Sequence, residues 1–139
     1  MSDNALNQLF DHAREAATNA YAPYSQFSVG AAIRTPSGKI FAGANVENAA
    51  YPLGSCAEAS AISAMISLGE REIADIAVVA LQANPCYPCG GCRQRISEFA
   101  THATRIHVID PAGNIHTHTI GELLPHAFGP HALNLDHRA

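Results

Sequence analysis

Two short pieces narrow what this 139-residue chain can fold into: Cys56-Ala57-Glu58 and Pro88-Cys89-Gly90-Gly91-Cys92. Each stands where a helix should begin. Pro52-Leu53-Gly54-Ser55 reads as a loop, with Ser55 placed to cap a helix over 56–68, which is rich in Ala, Ile and Met and is closed by Gly69. Asn84-Pro85-Cys86-Tyr87-Pro88 is a second, stiffer loop, followed by a helix over 89–100 with Ile96 and Phe99 turned inward. A thiol at a helix N-terminus is drawn toward thiolate by unpaired N–H groups and by the helix dipole. The two-residue gap lets Cys89 and Cys92 close on one ion. One helix–strand unit separates Cys56 from Cys89, so Cys56 suits a third ligand from a neighbouring helix.

The rest of the chain supplies the frame. Leu6, Leu9, Phe10, Ala13, Ala16, Ala17 and Ala20 recur at helical spacing over 5–20, with Ser2 or Asp3 as cap and Ala22-Pro23-Tyr24-Ser25 as the stop. Strands are expected over 27–34 and 40–46, joined as a hairpin through Pro36-Ser37-Gly38. The continuous apolar run 76–81 reads as a buried strand. Short strands over 106–109 and 115–119 flank the turn Asp110-Pro111-Ala112-Gly113, and a short helix over 120–124 precedes Pro125. His116 and His118 alternate on a strand and read as polar residues on an exposed face. Helices and strands interleave with no linker, repeat or low-complexity segment, so the expected class is α/β in a single domain over 1–139.

Three cysteine ligands would leave one tetrahedral position of a zinc ion open, and a catalytic zinc needs such a position for its water. Glu58 lies two residues beyond the first ligand, close to the metal without binding it, where it can move protons. Zinc held by three cysteines, with a nearby Glu and Pro-Cys-x-x-Cys, is the arrangement of nucleobase deaminases. Cys86 leaves a rival open: as a fourth ligand it would close the site into a structural, non-catalytic zinc module.

Composition removes other classes. Hydrophobic residues make up 47% and charged residues 14%, which is unlike a disordered chain. The net charge is −4 with no Lys/Arg cluster, against the basic stripe of a nucleic-acid binder, so a small and weakly charged substrate is expected. No apolar run is long enough for a bilayer and Met1-Ser2-Asp3-Asn4 is not a signal peptide; no membrane partner is expected, and the expected compartment is the cytoplasm. Thiols stay reduced there, so four cysteines favour ligands over disulfides.

Five stretches in order carry a resemblance: 24–32 (YSQFSVGAA), 43–49 (GANVENA), 56–58 (CAE), 88–94 (PCGGCRQ), and 123–125 with 128–130 (LLP, FGP). Over nearly its whole length the chain resembles the small homotetrameric, zinc-dependent cytidine deaminases. That resemblance implies an α-β-α sandwich around a five-stranded mixed sheet. It implies one zinc per subunit on Cys56, Cys89 and Cys92, with Glu58 as the catalytic proton carrier. It implies that Asn45 and Glu47 hold the ribose 3′-hydroxyl and that Phe27 packs on the base. Phe128 would stack on the base from another subunit, and Ala49 and Tyr51 would approach the 5′-hydroxyl across a subunit boundary. The Ala57 N–H and a carbonyl near Cys89 would meet the base edge.

The implied reaction is hydrolysis of cytidine or deoxycytidine to uridine or deoxyuridine and ammonia, as in pyrimidine salvage. A modified cytosine nucleoside or related aminopyrimidine is the alternative substrate. A tRNA adenosine deaminase is disfavoured by the charge balance and by the Asn45/Glu47 pair. One position departs from the pattern. Many members carry Arg directly after Cys-Ala-Glu, where it neutralises ligand thiolates, and here that residue is Ala59. Arg93, or another cation brought in by folding, is expected to take its place.

Overall fold

The strand Val29–Arg34 (β1) is Val-Gly-Ala-Ala-Ile-Arg, small on both faces because helices press on it from both sides. Gly30 and Ala32 face the helix Asp3–Thr18 (α1), whereas Ala31 and Ile33 pack with the helix Ala57–Ser67 (α2). A Cβ on Gly30 would lie 1.8 Å from the Ala13 carbonyl oxygen, so only glycine lets α1 come this close. Gly43 does the same for α2: a Cβ there would lie 2.4 Å from the Ala61 nitrogen. These distances come from a computed structural model that describes residues 2–135; Met1 and residues 136–139, the ends of the expected domain, lie outside the described residues.

Four further strands complete the sheet: Ile40–Ala44 (β2), Ile73–Ala80 (β3), Ala100–Ile109 (β4) and Ile115–Thr119 (β5). Their order is β2-β1-β3-β4-β5, with β3 and β4 parallel and every other pair antiparallel. A helix over Gly90–Glu98 (α3) provides the β3–β4 crossover that a parallel pair requires. A one-turn helix over Ile120–Leu123 (α4) follows β5, closed by a capping box between Thr119 and Glu122. The result is the expected α-β-α sandwich on a five-stranded mixed sheet.

Two cores hold it. On one face Leu9, Phe10 and Ala13 of α1 pack on Ala32, Ala77 and Val79. On the other, Ala57, Ala61, Ile62 and Met65 of α2 pack with Ile33, Ile76, Val78 and Ile106. Each fully buried Leu, Ile, Phe or Met contributes roughly 1.5–3 kcal/mol. Ser2 caps α1, its hydroxyl accepting from the Ala5 N–H at 3.2 Å.

Several boundaries differ from the sequence reading. Ser55 does not cap α2; Cys56 is the N-cap residue, and Ser55 pairs through its backbone with Val46. The second strand of the hairpin ends at Ala44, and Val46 forms only isolated bridges. Strand β4 begins at Ala100, six residues before the apolar run, because buried Thr104 donates its hydroxyl to the Ile73 carbonyl at 2.5 Å and holds a polar stretch in the sheet. That early start ends α3 at Glu98, so Phe99 becomes its half-buried C-cap. Short 3-10 helices at Tyr51–Leu53 and Pro130–Leu133 stand where the sequence reads as loop.

Candidate active site

The starts of α2 and α3 meet on one side of the sheet. Cys56 and Cys89 are their N-cap residues, both in extended backbone and neither using its side chain to cap. Cys92 sits one turn into α3 and is fully buried. The three sulfurs lie within 4.8 Å of one another, and among the described residues this is the one cluster with metal-ligand geometry. Cys86 is not part of it. Its sulfur packs beside the α2 core, and burial pushes its thiol up to about 11, with the Glu58 charge adding to the effect.

The donor set suits a zinc ion. Three clustered sulfurs of cysteines not tied in disulfides match a soft tetrahedral site that lacks its fourth protein ligand. Cys89 is the readiest thiolate: the Cys92 backbone N–H donates to its sulfur and draws its pKa down. Cys56 and Cys92 are pushed up, first by burial.

Glu58 projects from the first turn of α2 and is 4% exposed. Burial above all raises its pKa, against the opposing pull of its own backbone N–H, the Cys92 thiol and the Arg95 guanidinium. A carboxyl so placed holds or releases a proton closer to neutrality than an exposed one.

A cleft of about 340 Å³ opens nearby, lined by Tyr24, Ser25, Glu47, Asn48, Tyr51 and Gly54. Glu47 Oε1 accepts from the Tyr24 and Ser25 N–H groups, both at 3.0 Å, and Oε2 accepts from the Ser25 hydroxyl. These donors, the Ser25 hydroxyl first, hold its carboxyl below the usual carboxylate range. Asn45 is turned to the main chain: Oδ1 accepts from Val29 N–H at 2.9 Å and Nδ2 donates to the Phe27 carbonyl at 2.8 Å. The cleft is tied to the sulfur cluster by backbone, because Val46 and Ser55 exchange two hydrogen bonds at 2.9 and 2.8 Å immediately before Cys56.

Ala57 is buried at the start of α2. Tyr51 crosses Tyr24 edge to face, with centroids 6.0 Å apart, and Ala49 is exposed beside it. Phe27 and Phe128 are exposed, 36% and 62% as whole residues. The Phe128 carbonyl accepts from Gln94 Nε2 at 2.9 Å, which ties the C-terminal stretch to α3. Arg93 does not reach the sulfurs. Its guanidinium donates to the Pro88 carbonyl at 2.8 Å and the Leu123 carbonyl at 3.0 Å. Ser25 and Asn48 are cleft residues to which the sequence reading gives no role; their signal is membership of the stretches 24–32 and 43–49 that carry the resemblance.

The profile of the cytidine and deoxycytidylate deaminase zinc-binding region matches residues 3–108, which include all three sulfurs and Glu58. The chain belongs to the cytidine deaminase family. It is 42% identical over 126 residues to a cytidine deaminase of Halalkalibacterium halodurans, covering 91% of this chain and 96% of that one. To a cytidine deaminase of Mycobacterium tuberculosis it is 38% identical over 130 residues, 93% of each chain. Among solved structures, cytidine deaminase from Burkholderia pseudomallei superposes with a TM-score of 0.83 at 41% identity, covering 92% of this chain and all of that one. The Mycobacterium tuberculosis deaminase structure gives 0.81 at 37% identity, over 93% and 99% of the two chains.

Proposed function

We propose that this protein hydrolyses the C4 amine of cytidine or deoxycytidine, giving uridine or deoxyuridine and ammonia, in pyrimidine salvage. The observation that carries this reading is Glu58, buried at 4% exposure and set against a triangle of three sulfurs at two abutting helix starts. Cys56, Cys89 and Cys92 are assigned to hold one zinc ion per subunit. Zinc bound there supplies the Lewis acidity that makes water a nucleophile near neutral pH.

Glu58 is assigned the proton transfers. It takes a proton from the attacking water and gives it to N3 as oxygen bonds to C4. It then takes the hydroxyl proton and delivers it to the exocyclic nitrogen. The C4–N bond breaks, ammonia leaves and the carbonyl forms, so one water is consumed per amine released. Its burial-raised pKa supports this assignment, because the same group must accept and return a proton near neutrality. The Ala57 N–H is assigned to the base edge. Asn45 and Glu47 are assigned to the ribose: Asn45 has one N–H and one lone pair left beyond its backbone bonds, and Glu47 is fixed by its three donors. Phe27 is assigned to the base face.

The active unit is read as a homotetramer in the cytoplasm. Tyr51 and Phe128 are 76% and 62% exposed in one chain, which supports their assignment, with Ala49, to a neighbouring subunit's site. Four cysteines free of disulfides suit a reducing compartment, which supports the cytoplasmic reading. Among the described residues, no helix is long and apolar enough to cross a membrane.

The test is a panel of cytidine, deoxycytidine, substituted cytosine nucleosides and adenosine, run at measured zinc content. Cytidine is expected to be turned over and adenosine not. Glu58→Gln is expected to keep zinc and lose roughly 10²–10⁴-fold in kcat. A Glu58→Gln protein with full zinc and normal turnover overturns the assignment. Sedimentation of an active monomer at assay concentration overturns the shared site.

A further inference from the structure

Three thiolates on one divalent zinc leave a net negative charge of one on the cluster, which must be met by N–H donors or a cation. The sequence neighbour of Cys92, Arg93, is committed to two backbone carbonyls. Arg95 is placed differently. One helical turn beyond Cys92 on α3, it brings Nη1 to 3.6 Å from the Cys92 sulfur. Its charge also reaches Glu58, whose pKa it opposes burial in raising. Gly91 keeps this path clear: a Cβ there would stand 3.3 Å from the same Arg95 nitrogen.

We propose that Arg95 is the positioning residue that neutralises the thiolate charge at Cys92. This rests on the zinc reading of the previous section and adds to it the cation that the cluster requires. Cys92 Sγ is one corner of the sulfur triangle, so a guanidinium donating to it favours its thiolate over its thiol and offsets the negative charge of the cluster. The zinc cluster is thereby held closer to neutral, and zinc is retained more tightly. Arg95 touches neither substrate nor the reacting atoms in this assignment; it acts through Cys92.

The experiment is competition for zinc between the purified protein and a chelator of known affinity, comparing the parent with Arg95→Ala, Arg95→Gln and Arg95→Lys. Position 95 is exposed and helical, and all three replacements are acceptable helix formers, so folding is preserved and is checked by thermal melting. Loss of an outer partner of this kind weakens metal binding on the order of tenfold. Ala and Gln are expected to show that loss, and Lys to recover most of it. An Ala or Gln variant that holds zinc like the parent, or a Lys variant as weak as Ala, overturns the charge role. A parent that binds no zinc, or binds it without turning over cytidine, refutes the functional reading itself. A parent that does both, with unmoved Arg95 variants, refutes only this proposal.

Discussion

Ser25 grips Glu47 at both carboxylate oxygens, its backbone N–H donating to Oε1 and its hydroxyl donating to Oε2. The same hydroxyl accepts from the Phe27 N–H at 3.1 Å, so one serine sets the acid and the main chain of the neighbouring aromatic together. A carboxyl held below its usual range stays ionised to lower pH, and whatever depends on its charge is lost only as pH falls through that lowered value. Ser25→Ala removes the largest cause of the lowering. The KM for cytidine is expected to rise roughly threefold to tenfold at neutral pH. With zinc kept saturating, its acid-side rise should begin at a higher pH than in the parent. A KM–pH profile that overlays the parent would release Glu47 from dependence on Ser25.

Cys86→Ser is expected to leave one zinc per chain and turnover within about twofold of the parent. The reason is that Cys86 stands outside the sulfur triangle and its pKa of about 11 keeps it a neutral thiol. Zinc quantification beside the activity assay decides this. Loss of zinc would restore the closed four-sulfur site.

The two close-approach glycines should fail in different ways. Gly30→Ala drives a methyl group into the Ala13 carbonyl of α1, and a cost of at least about 1–3 kcal/mol in unfolding free energy is expected. Gly43→Ala pushes instead on Ser60 and Ala61 of α2, the helix that carries Glu58. It should lower kcat as well as stability. Equal kcat values in the two variants, at equal zinc, would show that α2 tolerates the displacement.

His107 is 4% exposed and joins three strands, with Nε2 2.8 Å from Asp75 Oδ1 on β3 and Nδ1 2.7 Å from Thr117 Oγ1 on β5. His107→Ala strands both partners. A loss of about 1–3 kcal/mol is expected from denaturant midpoints, with KM unchanged. Unchanged midpoints would mean that water replaces the ring.

The sulfur centre was legible because ligand spacing is local: Cys89 and Cys92 are one helical turn apart, and Cys56 falls at the start of the preceding helix. The charge partner was not legible by sequence adjacency. Neighbours on a helix face are three or four apart, so Arg95 lies along Cys92 while Arg93 turns to Pro88 and Leu123. The first half of β4 was hidden because Thr101-His102-Ala103-Thr104-Arg105 has no apolar alternation, and its place in the sheet is fixed by the hydroxyl of Thr104. His116 and His118 do alternate on β5, yet each has a partner that the sequence did not name: Asp110 at 2.9 Å and Tyr87 at 3.0 Å. Ser55 looked like a cap because its residue type favours that position, but its backbone was needed by Val46.

The Val46–Ser55 bridge acts as a fixed ruler. Glu47 follows one of its residues and Cys56 the other, so on the proposed assignments the span from sugar hydroxyl to reacting amine would be set through main-chain hydrogen bonds rather than through adjustable side chains alone. Extra bulk on the base can be met by trimming a side chain. A nucleoside with a longer reach between its hydroxyl and its amine can be met only by re-registering the bridge. On those assignments selection by length would come ahead of selection by shape, and laboratory evolution toward elongated analogues should find its first solutions in residues 46 and 55 rather than in the aromatic rings.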